Sequence, residues 1–254
     1  MARQKADNTG KYLYAIIAGE TDRVFGPFGI DGGLVYSISD GRIAAVISDF
    51  SDWKIRPERR HLAAHQQVLK KLLQESTPLP MSFGIVARGE KAIRKILSTH
   101  QKAFMERLNH VAGRVEMGLR VTWDVPNIFE YFVLTHPELR AARDHYLGSH
   151  QEPSQEDKIE VGRMFDRILN EDREAYAEKV EDVLMRCCIE IKRNAPRNER
   201  EVINLACLLD RDGQGEFEKG IFEAARLFDN NFAFDYNGPW APHNFVEVAL
   251  NLQS

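Results

Sequence analysis

Apolar and polar positions repeat with two periods along this chain, and the switches between them predict its elements. Tyr12–Ile17 is rich in aromatic and β-branched residues and reads as a first strand. A glycine-rich connection, with Gly26, Gly29, Gly32 and Gly33, leads to two alternating runs, Leu34–Ser39 and Arg42–Ser48. Asp40-Gly41 between them is a hairpin signal, because both turn positions favour φ > 0. The period then becomes helical: from Pro57 to about Gln74, Leu62, His65, Leu69 and Leu72 fall on one face. Thr77–Gly84, with two prolines, is a stiff apolar crossing, and Ile85-Val86 suggests a short strand. After Gly89, Ile93, Ile96, Leu97, His100, Phe104 and Leu108 mark a second amphipathic helix, ending near Gly113 as an αL C′ residue.

Val115, Met117, Leu119, Val121 and Trp123 then give an uninterrupted period of two, the pattern of a half-buried strand. Asp124 and Pro126 suggest an N-cap and a first helical position, and Pro137 breaks or restarts that helix before Leu147. Gly148–Glu156 reads as a flexible polar loop. A long helix is expected from about Glu156 to Lys192, carrying adjacent Cys187 and Cys188, with Asn170–Glu174 as a place where it kinks or turns outward. Val202–Leu209 is apolar enough for a central strand covered on both faces. A helix through Phe217, Ile221, Ala225 and Phe228 precedes the last strand. There Phe232, Phe234 and Tyr236 share one face, expected to be buried, and Gly238-Pro239 stops the strand. The expected fold class is α+β in two domains. Residues 1–112 form a hairpin-plus-helices domain. Residues 113–254 form a modified ferredoxin-like sheet with helices on one face and a C-terminal tail.

With 254 residues and 43% apolar composition the chain can bury two cores. The formal charge of -4 comes from interleaved acids and bases, which argues against a nucleic-acid surface. The polar start, Met1–Gly10, is expected to fray and has no apolar core of a secretory signal. No apolar run approaches the roughly 18 residues of a membrane span. Three cysteines, two of them adjacent, fit neither a disulfide framework nor a metal knuckle, and suit a reducing cytoplasm.

The candidate chemistry is thin. His61 and His65 stand at metal-ligand spacing, but no Glu follows His61 and no third ligand is evident. The glycine cluster precedes a strand-like run, where a phosphate cradle requires a helix N-terminus. Asp210, Asp212 and Gly213 are too closely spaced for an EF-hand loop. No nucleophile elbow or paired-carboxylate signature is present, so no enzyme activity and no cofactor are expected. The aromatic tail, Trp240 and Phe245, has two readings: a plug for the second domain's core, or an exposed protein-binding patch.

Several segments in order resemble the gas vesicle protein F/L family (GvpF/GvpL). They are Tyr12–Ile16, Asp40–Ser48, His65 with Val68, Leu69 and Leu72, Leu79–Val86, Val115–Asp124, Asn204–Leu209, and Gly238–Trp240 with Phe245-Val246. The most specific are Leu-Pro-x-x-Phe-Gly and Gly-Pro-Trp-x-Pro-x-x-Phe. Ala241, His243 and the Gly148–His150 loop depart from the family pattern, which bears on loop geometry. The resemblance implies a cytoplasmic, vesicle-associated accessory or minor structural protein required for gas vesicle assembly. It would bind the hydrophobic shell protein GvpA and other gas vesicle accessory proteins, with no nucleic-acid or membrane partner. It also singles out Pro80, Phe83, Gly84, Gly238, Pro239, Trp240 and Phe245 as a structural or partner-binding motif. The competing readings are a small-ligand-binding regulatory module built on the ferredoxin-like domain, and a metal-dependent hydrolase using His61 and His65.

Overall fold

Strand β1 (Gly10–Ala18) is buried along all but its last residue, because it has neighbours on both edges and helices over its faces. The structure, a computed structural model, describes residues 9–147 and 154–246. The first eight residues and residues 148–153 of the expected Gly148–Glu156 loop lie outside the described residues; the rest of that stretch, from Ser154, is the N-cap and start of a helix. Strands β2 (Val24–Gly26), β3 (Val35–Ser39) and β4 (Ile43–Phe50) extend the sheet in the order β2-β3-β4-β1. On the other edge of β1 lie two short antiparallel strands, β5 (Leu79–Pro80) and β6 (Val86–Arg88). Pro80 suits that position, since a residue without an N–H is tolerated at a sheet edge.

Helix α1 (Arg59–Glu75) covers one face of this sheet through Val68, Leu69 and Leu72, against Tyr12, Tyr14, Val35, Ala44 and Val46. Helix α2 (Gly89–Val111) packs on β1, β3 and β4, turning Ile93, Leu97, Phe104 and Val111 inward. Leu62, expected on the buried face of α1, is exposed; Val68 and His61 are buried. Of the two hairpin positions only Gly41 has positive φ (94°), while the Asp40 carboxylate accepts the N–H groups of Arg42 and Ile43. Gly113, at φ 72°, takes the expected left-handed conformation after α2.

The second sheet contains β7 (Arg114–Trp123), β8 (Glu190–Arg193), β9 (Glu201–Asp210) and β10 (Phe232–Trp240), in the spatial order β10-β7-β9-β8. Between β7 and β8 come α3 (Ile128–Thr135), α4 (Pro137–Leu147) and α5 (Gln155–Leu184); α6 (Gln214–Ala225) joins β9 to β10. This is the split β-α-β-β-α-β order of a ferredoxin-like sheet, with its first crossover expanded to three helices.

Several boundaries differ from the sequence reading, each for a local reason. The N-cap of α3 is Asn127, whose side chain accepts from the Glu130 N–H, so Asp124 and Pro126 precede the helix. Helix α5 starts at a capping box, with Ser154 and Asp157 each accepting the other's backbone N–H. It is unbroken through Asn170–Glu174, where Arg173 is held by the carbonyls of Asn198, Glu199 and Glu201. It ends at Leu184, not Lys192. Glu190–Arg193 is a strand because it pairs antiparallel with Arg193↔Leu205 through Glu190↔Leu208 of β9. The strand β10 does not stop at Gly238-Pro239. It runs on to Trp240, which its position as an outer strand permits. Its aromatic face is only half-buried at Phe232 and Phe234 and exposed at Tyr236.

The chain separates into two compact units. Of the described residues, 9–116 and 238–246 make one and 117–237 the other. The tail therefore groups with the first unit, whereas the sequence reading placed it in the second. Ala241 lies in the α1-side core cluster with Tyr12, Tyr14 and Leu69, which accounts for the difference.

Candidate partner-binding site

Both motifs singled out by the sequence come to the first unit. The Leu79–Gly84 segment is tied to β1: Pro80 stands opposite Ala15, and the Met81 N–H donates to the Tyr14 carbonyl at 2.9 Å. Between β5 and β6 the chain loops over the aromatic residues of β1 and α1. Phe83 packs edge-on or tilted against Tyr12 and His65, with ring centres at 6.0 and 5.9 Å. Gly84, at φ 97°, turns its N–H onto the Tyr12 hydroxyl at 3.2 Å, a backbone conformation that favours glycine. The same hydroxyl meets His65 Nδ1 at 2.9 Å.

Burial holds His65 in its neutral form, with its pKa pushed down to about 4; the neighbouring His243 of the tail acts in the same direction. Burial likewise raises the Tyr12 phenol well above its ordinary value. Neutral imidazole and neutral phenol are therefore the stable forms of this pair. This is a satisfied core cluster and not an acid–base device.

The tail approaches the same core. Ala241 joins the cluster, and Phe245 and Val246 are buried. Asn244 donates its N–H and its side-chain amide to the buried Glu116 carboxylate, at 2.8 and 2.7 Å. Trp240 and Pro239, one step earlier, are exposed, with Trp240 at 41%. The two readings of the aromatic tail thus divide between residues. Phe245 is the plug, in the first unit's core, and Trp240 presents itself at the surface. Glu116 could not have been found from the sequence, since it looks like any polar residue in an alternating strand.

Residues 10–247 match the family described as "Gas vesicle synthesis protein GvpL/GvpF". The chain belongs to that family. It is 26% identical to gas vesicle protein F of a Nostoc species, over 95% of this chain and all of the relative. It is 24% identical to gas vesicle protein F1 of Halobacterium salinarum, over 95% of each. The crystal structure of GvpF from Anabaena superposes with a TM-score of 0.75 at 27% identity, covering 95% of this chain and 98% of that one. That of GvpF from Microcystis aeruginosa gives 0.78 at 23%, covering 94% and 99%. The α+β fold with antiparallel sheets is thus that of the gas vesicle F proteins.

The other candidates take ordinary places in this family member. His61 Nδ1 lies 3.0 Å from the Arg56 carbonyl and its Nε2 lies 3.4 Å from Asp31, while His65 is engaged with Tyr12. Among the described residues, no three His, Cys, Asp or Glu side chains are grouped to hold a metal. The glycine run wraps Tyr14, whose hydroxyl takes the Ile30 N–H at 2.9 Å; a Cβ on Gly29 would lie 2.7 Å from that hydroxyl. Cys207, remote in sequence, is brought to Cys188 by the β8–β9 pairing. Its hydrogen bond and burial raise the Cys188 thiol, and burial pushes Cys187 up to about 12, so these thiols are held protonated. Cys187 also lines an open cleft of about 500 Å³, along with the ion pairs Arg186–Glu223 and Lys219–Glu216 and the carboxylates of Asp210 and Asp212. Among the described residues no helix is long and apolar enough to cross a membrane.

Proposed function

We propose that this chain is an accessory protein required for gas vesicle assembly, binding the hydrophobic shell protein GvpA at the outer edge of β10 and staying with the vesicle as a minor component. The observation that carries the reading is the exposed run from Asp235 to Trp240. It lies on an outer strand of its sheet, ends in a 41%-exposed tryptophan, and is followed at once by the buried anchors Ala241 and Phe245. An outer strand offers backbone donors and acceptors to an added strand, and an adjacent aromatic supplies apolar contact. An apolar shell subunit held there before incorporation is kept from pairing with other copies of itself. Family membership supplies the gas vesicle context.

The test is retention of purified GvpA by the immobilised chain, compared with Trp240→Ala at matched thermal stability. Retention by the parent chain and clear loss with Trp240→Ala support the reading. Failure of the parent to retain GvpA removes the shell-binding role, and equal retention by both removes Trp240 from the site.

A further inference from the structure

The loop that leads into α1, residues 51–58, is exposed except at Ile55, yet its backbone is held in place. Ile55 packs against the first unit's core cluster. The Arg56 carbonyl accepts the Glu58 N–H at 2.8 Å and lies 3.0 Å from His61 Nδ1. Trp53 stays 44% exposed, with the Arg88 guanidinium of β6 over its ring at 5.7 Å. Four cations on this face, Lys54, Arg56, Arg59 and Arg88, have no carboxylate partner among the described residues. The neighbouring acids are few. Glu58 pairs with Arg60 at 2.9 Å, Asp31 lies 3.4 Å from both Arg60 and His61, and Asp52 is exposed beside the Ser51 hydroxyl. The first turn of α1 carries Arg59 and Arg60 and no acid, the reverse of what the positive end of a helix favours. The chain itself leaves this positive charge uncompensated.

We propose that this face, Trp53 with Lys54, Arg56, Arg59 and Arg88, is a docking site for an acidic protein segment. Three of its four free cations are arginines, whose planar forks take carboxylates in pairs of hydrogen bonds. The half-open indole between them offers apolar ground for the rest of the segment. Because the loop backbone is already fixed, little ordering is needed on this side of the contact. Charge distribution favours a short acidic segment over a long polyanion. Residues 117–237 hold 25 Asp and Glu against 16 Lys and Arg, while the rest of the chain holds 13 against 18. A nucleic acid or an anionic membrane is repelled by the acidic unit carried on the same chain, whereas a short segment answers only to the local patch. The inference does not rest on GvpA binding, since this face shares no residue with the β10 edge.

The experiment titrates the full-length chain into a fluorescein-labelled peptide of alternating glutamate and leucine and follows its anisotropy. A peptide with lysine in place of glutamate and a labelled single-stranded oligothymidylate are titrated alongside, and phosphatidylglycerol vesicles are tested by co-sedimentation. The expected result is saturable binding of the acidic peptide, weakened by added salt, with much weaker binding of the other probes. Arg56→Glu combined with Arg59→Glu lowers its affinity by at least about tenfold, and Arg56→Gln with Arg59→Gln falls between. Trp53→Ala lowers it several-fold with circular dichroism unchanged. Lys102→Glu with Arg107→Glu makes the same charge change at exposed positions of α2 and leaves the affinity within about twofold. No saturable binding of the acidic peptide, or an equal loss in the α2 variant, overturns the proposal. So does an oligonucleotide or vesicle surface bound as tightly as the peptide. Salt-sensitive self-association of the chain alone, seen by light scattering and lost with Arg56→Glu and Arg59→Glu, gives the face to a second copy and also overturns it.

Discussion

Replacing Phe245 with alanine separates the two roles that the tail's aromatic residues divide between them. The ring is 2% exposed, in the unit that also holds the Tyr12–Leu69 cluster. Truncating a fully buried aromatic costs about 3–5 kcal/mol, from lost transfer energy plus the cavity left behind. Trp240, at 41% exposure, leaves much of its surface in water in either state, so Trp240→Ala costs less than about 2 kcal/mol. Urea unfolding followed by far-UV circular dichroism reads both variants without relying on a tryptophan that one of them lacks. The midpoint shift at constant m then gives the loss. Phe245→Ala keeps Trp53, Trp123 and Trp240, so fluorescence reports separately on tryptophans of both units. A loss at Trp240→Ala equal to or larger than that at Phe245→Ala would refute the assignment of plug and surface.

Three further outcomes follow from the same geometry. His65 has a folded pKa of about 4 against about 6.5 in the unfolded chain, so between these values the unfolded state binds more protons. Stability is unaffected by this group above pH 7 and falls by about 3 kcal/mol as pH drops from 6.5 to 4; a denaturation series in which His65→Gln shows the same pH slope as the parent contradicts this. Glu116→Ala leaves the two Asn244 donors without their charged acceptor and costs roughly 2–3 kcal/mol. Glu116→Gln costs less, and proteolysis of the tail reads both. Gly29→Ala puts a Cβ 2.7 Å from the Tyr14 hydroxyl and 2.8 Å from the Gly33 carbonyl, and lowers stability by about 1–3 kcal/mol in thermal unfolding.

The elements with a strong period were legible in the sequence: β1, β4, β7, β9 and the inner face of α2. What the sequence could not convey was pairing. Glu190–Arg193 continues the apolar rhythm of α5 through Cys187 and Ile191, and only hydrogen bonding to β9 makes it a strand. Thr77–Gly84 reads as a stiff crossing and Pro239 as a strand stop, yet Pro80 and Pro239 both sit in edge strands, where a missing N–H costs little. The tail's anchor rests on Glu116, 128 residues away from Asn244, a separation that no local pattern encodes. Of the motif residues, Pro80 and Phe245 are buried in the first unit, Phe83 and Gly84 are half-buried with Phe83 packed against its core, and Gly238, Pro239 and Trp240 are exposed.

The most direct test of the assembly role is made in a buoyant host whose own copy of this gene is deleted. Electron microscopy and pressure-collapse turbidity count the vesicles. The account predicts few or none in the deletion strain, restoration by the parent chain, and a marked deficit with Trp240→Ala present at the same protein level. Vesicles at parental numbers in the deletion strain would contradict it.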